Sequence, residues 1–337
     1  MNVRRLIRTT ATAGAVVLGL TAVAACSSAD SGSGSGSGGE EGGKLKVTAS
    51  FYPMQFLAER IGGEHVSVTA LTKPGVEPHD LELKPRQAAQ LGESGYILYL
   101  KGLQPAVDKA IEQSGVKHTV DAATLTSLET HQDEKGHEDK KGHEGHDHAA
   151  EESHDDHGHD HGSEAGDPHI WLDPAKYAEV AKGVGASLEK ADPKNADAYR
   201  KNTATLVGEL NKLDADYREG LKKTATKTFI TTHTSFGHLA ERYGLDQEGI
   251  AGINPDAEPS PARIKELQTI AEKDRVTTVF FDTLASDRTA KTLADDTGLT
   301  TDVLDSLEGI TDKSRGSDYL EVMESNLTAL KKALGAS

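Results

Sequence analysis

NADAYRKNTATLVGELNKLDADYREGLKK, residues 195–223, sets the architecture. Its apolar residues Leu206, Leu210, Leu213, Tyr217 and Leu221 recur at helical spacings, the mark of one buried stripe. No Pro interrupts the stretch, and no closing Gly signal comes before Gly220. A helix of about 28 residues, ~40 Å long, is therefore predicted. That length suits a rigid rod joining two lobes.

On the N-terminal side of this rod, KLKVTAS (44–50), HVSVTAL (65–71), YILYL (96–100) and the stretch 117–120 read as strands. Helical patterns at 55–61, 85–93, 104–113 and 175–190 alternate with them. On the C-terminal side the strands are 227–232, 276–282 and 301–305, with helices at 237–243, 261–274, 288–298 and 319–334. Strands alternating with helices predict an α/β fold with mainly parallel sheets. Residues 44–190 are expected to form one lobe, 191–224 the linking helix and 225–337 a second lobe.

Between the halves lies HQDEKGHEDKKGHEGHDHAAEESHDDHGHDH (131–161), which holds nine of the chain's 15 histidines. They are His131, His137, His143, His146, His148, His154, His157, His159 and His161. With no aliphatic side chain larger than Ala, the loop 131–166 cannot bury a core and is expected to be disordered. Alternating imidazoles and carboxylates offer overlapping, exchangeable sites for Zn²⁺ and similar ions. The expectation is a loose, low-affinity metal collector. The plain alternative, a solvated acidic linker, has no need of nine imidazoles.

The first 25 residues read as a signal peptide. Arg4, Arg5 and Arg8 precede a short apolar stretch, Ala13 to Ala25, which is too short to span a membrane. VAAC resembles a bacterial lipobox and makes Cys26, the chain's single cysteine, the expected lipid anchor. The Gly/Ser-rich segment 26–43 would be a flexible tether. Together these place the protein on the extracytoplasmic face of a cell membrane. The signal stretch carries three Arg and no acid, so without it 34 bases face 54 acids, a formal charge of −20. An acidic surface argues against nucleic-acid binding and suits attraction of cations.

Outside the tract, four short segments are read as placing a possible ligand just after a strand: His79 in TKPGVEPHDLE, His169 in DPHIWLDP, His233 in TTHTSFGHLAERYG and Asp305 in VLDSLEG. Ligands in α/β sheets gather at the carboxyl ends of strands. Three imidazoles and one carboxylate form an N₃O set suited to tetrahedral Zn²⁺. Glu77 and Asp282 are rival carboxylates, and water is a further candidate for the fourth position. His65, His118 and His238 read as ordinary packing or surface residues, and Asp173 as a helix cap.

SFYPM, GVEPHDLELKPRQ, DPHIWLDP, TTHTSFGHLAERYGL and EPSPARIKEL, with the His-rich loop ahead of DPHIW, resemble the zinc-type substrate-binding proteins of bacterial zinc/manganese ABC importers over about 44–334. The resemblance implies two α/β lobes joined by one long helix, with metal in the cleft between them. It implies His79 and His169 as ligands from the first lobe, His233 from the second, and Asp305 where the family places a carboxylate. His233 stands where manganese-type relatives carry Glu, which favours zinc. His238 departs from the aromatic residue common at its position. The partners implied are an ABC permease and its ATPase, reached by a lipid-anchored protein that is expected to be monomeric.

Manganese or iron import on the same architecture, and a surface zinc-buffering or adhesion lipoprotein, are the alternatives. A zinc hydrolase fits poorly, because no HExxH helix and no Ser-nucleophile motif occur and four protein ligands would close the site.

Overall fold

The computed structural model describes residues 40–41, 43–127, 166–284 and 286–337. The expected signal peptide, Cys26, most of the tether and all nine tract histidines lie outside the described residues.

The first lobe is built on β2 (Lys44–Ala49), whose apolar residues Leu45, Val47 and Ala49 are buried. It pairs in parallel with β3 (Val66–Ala70) on one edge and β4 (Tyr96–Tyr99) on the other, and β4 pairs with β5 (Thr119–Asp121). A two-residue strand, β1 (Glu40–Glu41), folds back antiparallel on the start of β2. Parallel neighbours need crossovers, and helices α1 (Tyr52–Gly62), α2 (Pro85–Leu91) and α3 (Pro105–Ser114) supply them. Pro85 and Pro105 open α2 and α3 where a missing N–H costs nothing, as Pro174 does for α4 (Pro174–Ala191). Asp173 caps α4 by accepting from the Ala175 and Lys176 amides, as expected from the sequence.

The predicted rod is α5 (Ala196–Gly220), 25 residues long. Leu206, Leu210, Leu213, Tyr217 and Leu221 are all buried, and Tyr199 extends the stripe. It packs against α1 and α4 of the first lobe and against α9 (Tyr319–Ala333) of the second. At Gly185 of α4 a Cβ would collide with Thr203 of α5, so glycine sets that close approach.

The second lobe is a parallel sheet in the order β7-β6-β8-β9, formed by β6 (Thr228–Thr231), β7 (Asp246–Gly249), β8 (Thr278–Phe281) and β9 (Thr300–Val303). Helices α6 (Gly237–Tyr243), α7 (Pro261–Lys273) and α8 (Arg288–Thr297) cross between its strands. The edge strand β7, DQEG, lacks the β-branched and aromatic residues that mark a strand and was not foreseen from sequence.

Each sheet has an apolar layer of its own. Leu71, Leu91, Ile97, Val107 and Ile111 form it in the first lobe, and Ile230, Leu267, Val279 and Leu293 in the second. A third, larger core runs through both lobes, joining Phe51, Trp171 and Tyr177 to Phe236, Leu304, Leu307 and Tyr319. Tyr177 and Tyr319 meet at 4.6 Å between ring centres, and the Tyr319 hydroxyl donates to the Trp171 carbonyl at 2.6 Å. An aromatic core shared by the lobes opposes wide hinge opening. Among the described residues, no helix is long and apolar enough to cross a membrane.

Candidate metal centre

The loops leaving the carboxyl ends of the two sheets bring together His79, His169, His233 and Glu308, all buried, with one potential ligand atom from each lying within 4.8 Å of the others. The Nε2 atoms of His79, His169 and His233 stand 3.5, 3.4 and 3.2 Å from Glu308 Oε1.

His79 sits in the loop between β3 and α2. Its backbone N–H donates to Glu77 Oε1 at 2.9 Å. Buried Gln104, at the start of α3, holds the loop from behind by donating to Thr72 Oγ1 and to the Pro78 carbonyl. His169 precedes a 3₁₀ turn, Ile170–Leu172, whose three side chains are fully buried. The Asp167 carboxylate accepts from His169 Nδ1 at 2.6 Å and from its backbone N–H at 3.0 Å. A carboxylate acceptor fixes the proton on Nδ1, so Nε2 is the atom left facing the cluster. His233 follows β6, and its carbonyl accepts from Thr231 Oγ1 and Gln247 Nε2.

Glu308 rides on a turn after β9. Leu307 adopts φ 58°, a left-handed conformation that costs a non-glycine residue energy and persists where its surroundings impose it. Those surroundings are specific. Ser306 N donates to Asp282 Oδ2, Leu307 N donates to Asp305 Oδ1, and the Ser306 carbonyl accepts from Trp171 Nε1 across the lobes at 2.7 Å.

The structure therefore brings together three of the four residues expected from sequence, and the carboxylate among them is Glu308 rather than Asp305. Asp305 is not part of the cluster. Its Oδ1 and Oδ2 accept from the Leu307 amide and the Thr283 hydroxyl, and its backbone pairs with Asn326 of α9. The physical reason is the reversal at Leu307, which points the next side chain inward. The sequence signal was present, an acid three residues on in the same VLDSLEG segment. Short Asp side chains at strand ends tend to close turns on neighbouring amides, which weighs against Asp305 and Asp282 as ligands. Indeed Asp282 also accepts from the Leu284 amide. His238, read from sequence as ordinary, is buried and donates from Nε2 to the Asp167 carbonyl at 2.9 Å.

The electrostatics of the cluster are those of a cation site. Burial by itself would raise the Glu308 carboxyl, but the three imidazoles hold it well below the usual carboxylate range. Burial pulls His169 down, yet Asp167 and then Glu308 outweigh it and hold its pKa up at about 9. Glu77 is pushed up to about 9 by burial and by the Glu308 charge. Burial and the Asp282 charge raise Asp305 to about 6. Nε2 of His79 and of His169, and Glu308 Oε2, are buried without a hydrogen bond of ordinary geometry. Orphaned buried polar atoms are rare and call for an explanation. Zinc bonds of ~2.0–2.1 Å place tetrahedral ligand atoms about 3.3 Å apart. The three spacings to Glu308 Oε1 match that edge.

Comparison with known proteins agrees with this chemistry. The family described as ZnuA, zinc-uptake complex component A periplasmic, matches residues 47–333. The chain is 36% identical over 325 residues to the high-affinity zinc uptake system protein ZnuA of Bacillus subtilis, covering 94% of this chain and 97% of that one. It is 32% identical over 296 residues to the zinc-binding lipoprotein AdcA of Streptococcus pneumoniae, covering 86% of this chain and 56% of the relative, so it spans about half of that longer protein. The crystal structure of the Zn(II)-bound ZnuA-like domain of S. pneumoniae AdcA superposes with a TM-score of 0.68 at 30% identity, covering 87% of this chain and 99% of that domain.

Proposed function

The chain belongs to the family of periplasmic component A proteins of zinc-uptake complexes, and we propose that it holds its zinc on His79, His169, His233 and Glu308. It is the extracytoplasmic zinc-capturing component of an ABC-type importer and not an enzyme. As such it works with a membrane permease and its ATPase. The observation that carries the ligand assignment is the convergence of three buried imidazole Nε2 atoms on one carboxylate oxygen. Three nitrogens and one oxygen favour zinc over manganese, which prefers oxygen-rich sets. Four protein ligands leave no open position for an activated water, as capture and release require.

Each partner group has a task in loading. Asp167 keeps the His169 proton on Nδ1, so zinc arriving at Nε2 meets a lone pair once the second proton has left. Glu308 supplies the negative charge that offsets the ion. The shared aromatic core keeps the lobes close, so loading and release involve loop and modest lobe movements. We further assign Cys26 as the lipid anchor that keeps a monomeric protein at the membrane surface. Within 131–161, His131, His137, His143, His146, His148, His154, His157, His159 and His161 serve as auxiliary, low-affinity sites that raise zinc concentration near the cleft.

The test is metal content and competition binding of residues 44–337 with Zn²⁺ and Mn²⁺, beside His79→Ala, His233→Ala and a variant lacking residues 131–164. One tight zinc per molecule, lost with either point change and kept without the tract, is the expected result. Tight zinc that disappears with the tract alone would overturn the cleft assignment.

A further inference from the structure

Helix α6 begins four residues after His233, in the second lobe, and reaches across to the segment that carries His169 in the first. Two of its side chains make the crossing, His238 and Arg242, which lie one turn apart on the same face. Buried His238 donates from Nε2 to the Asp167 carbonyl at 2.9 Å. Arg242 Nε lies 3.1 Å from Asp173 Oδ1 and 2.6 Å from Asp214 Oδ1 on α5. The two contacts therefore bracket His169, with Asp167 two residues before it and Asp173 four residues after.

Asp167 is also the residue whose carboxylate orients His169. A bond to its backbone from the opposite lobe ties the position of that carboxylate to the second lobe, beside the Trp171–Ser306 bond that crosses two residues after His169. The acceptor is a carbonyl, so His238 must carry its proton on Nε2 and act as a donor.

We propose that α6 is a clasp setting the spacing between His169 and His233, with His238 as the positioning residue at its buried end. This rests on the zinc assignment above. Loosening the clasp lets the His169 segment drift from His233, so zinc should leave sooner without any ligand having been removed. Partners that orient a ligating histidine are typically worth about 10–100-fold in metal affinity.

The experiment compares His238→Phe, which keeps a ring and removes the donor, with His238→Gln, whose amide can place an N–H near the same point. Both are read in the full chain by the slowest phase of zinc release into EDTA and by the visible spectrum of the Co²⁺-loaded protein. Expected for His238→Phe is release about tenfold faster with an altered Co²⁺ spectrum, and for His238→Gln recovery of most of both. A merely structural role would lower the melting temperature of the metal-free protein and leave release and spectrum unchanged. That outcome, or equal impairment in Phe and Gln variants, would overturn the clasp. Should His238→Phe fail to fold, Arg242→Gln cuts the half-buried end, and unchanged release there would likewise overturn it. His169→Ala is the control for the underlying assignment, because tight zinc surviving in it would break the ligand set and not the clasp.

Discussion

The first lobe brings two imidazoles to the cluster, each with a carboxylate bonded within its own loop, Glu77 to the His79 amide and Asp167 to the His169 ring. The second lobe brings His233, held through its carbonyl by Thr231 and Gln247, and Glu308, presented by a left-handed Leu307. Of the three imidazoles, only His169 in the first lobe is held through its ring, whereas His79 and His233 are held through backbone groups. Orienting a ring through its second nitrogen fixes tautomer and direction together. Holding a carbonyl fixes only where the residue starts. The first lobe thus supplies the ring whose direction is fixed, and the second supplies the charge.

That contrast can be broken most sharply at the carboxylates. Glu308→Gln is expected to weaken zinc binding by more than about 100-fold in chelator competition, beyond the effect of losing an orienting partner. Asp305→Asn should keep one tight zinc per molecule and lower the melting temperature, because it loosens the turn without removing a ligand. The reverse pattern would mean that the second lobe uses Asp305.

Asp167→Asn tests the first lobe. Loss of the carboxylate should cost about 10–100-fold in affinity, measured by competition titration. Its second-lobe counterpart, Thr231→Val, removes a bond to the His233 carbonyl. It should cost no more than about fivefold, the worth of ~1 kcal/mol for one ordinary hydrogen bond. Equal losses at the two positions would erase the distinction.

The pH dependence sharpens it further. His169 is raised to about 9 in the metal-free protein, above the ~6.5 of an unfolded histidine. Its contribution to stability is therefore full below about 6.5 and lost as pH rises through about 9. Glu77, also raised, changes stability in the same direction. The metal-free protein should melt at progressively lower temperature from pH 6.5 to 9.5. Zinc affinity should rise over the same interval, because the ion must displace the His169 proton. Asp167→Asn should flatten both trends, and a flat profile in the unaltered protein would show that His169 is already neutral.

Much of this was legible in the chain. KLKVTAS is a strand because Leu45, Val47 and Ala49 alternate onto a buried face, YILYL and VTTVFFD because buried parallel strands are short apolar runs, and the leucine stripe of 206–221 marks the long helix because burial repeats with the helical turn. His79, His169 and His233 read as standing just after strands, which holds closely for His233 after β6, whereas His79 lies deeper in the loop after β3 and His169 immediately before a 3₁₀ turn. DQEG could not be read as a strand, since an edge strand with polar residues leaves no periodic trace. Glu308 was hidden by Leu307, whose backbone reversal is imposed by Asp305, Asp282 and the packed core and has no local signature.

Composition and periodicity thus specified the secondary structure apart from β7, the two-sheet plan and the chemical character of the site, because these depend on neighbours along the chain. Which nitrogen of His169 is free is set two residues away by Asp167, but which carboxylate turns inward and why His238 is buried depend on groups tens to more than a hundred residues apart. Those contacts exist once both lobes have packed on their shared aromatic core, and no local pattern encodes them.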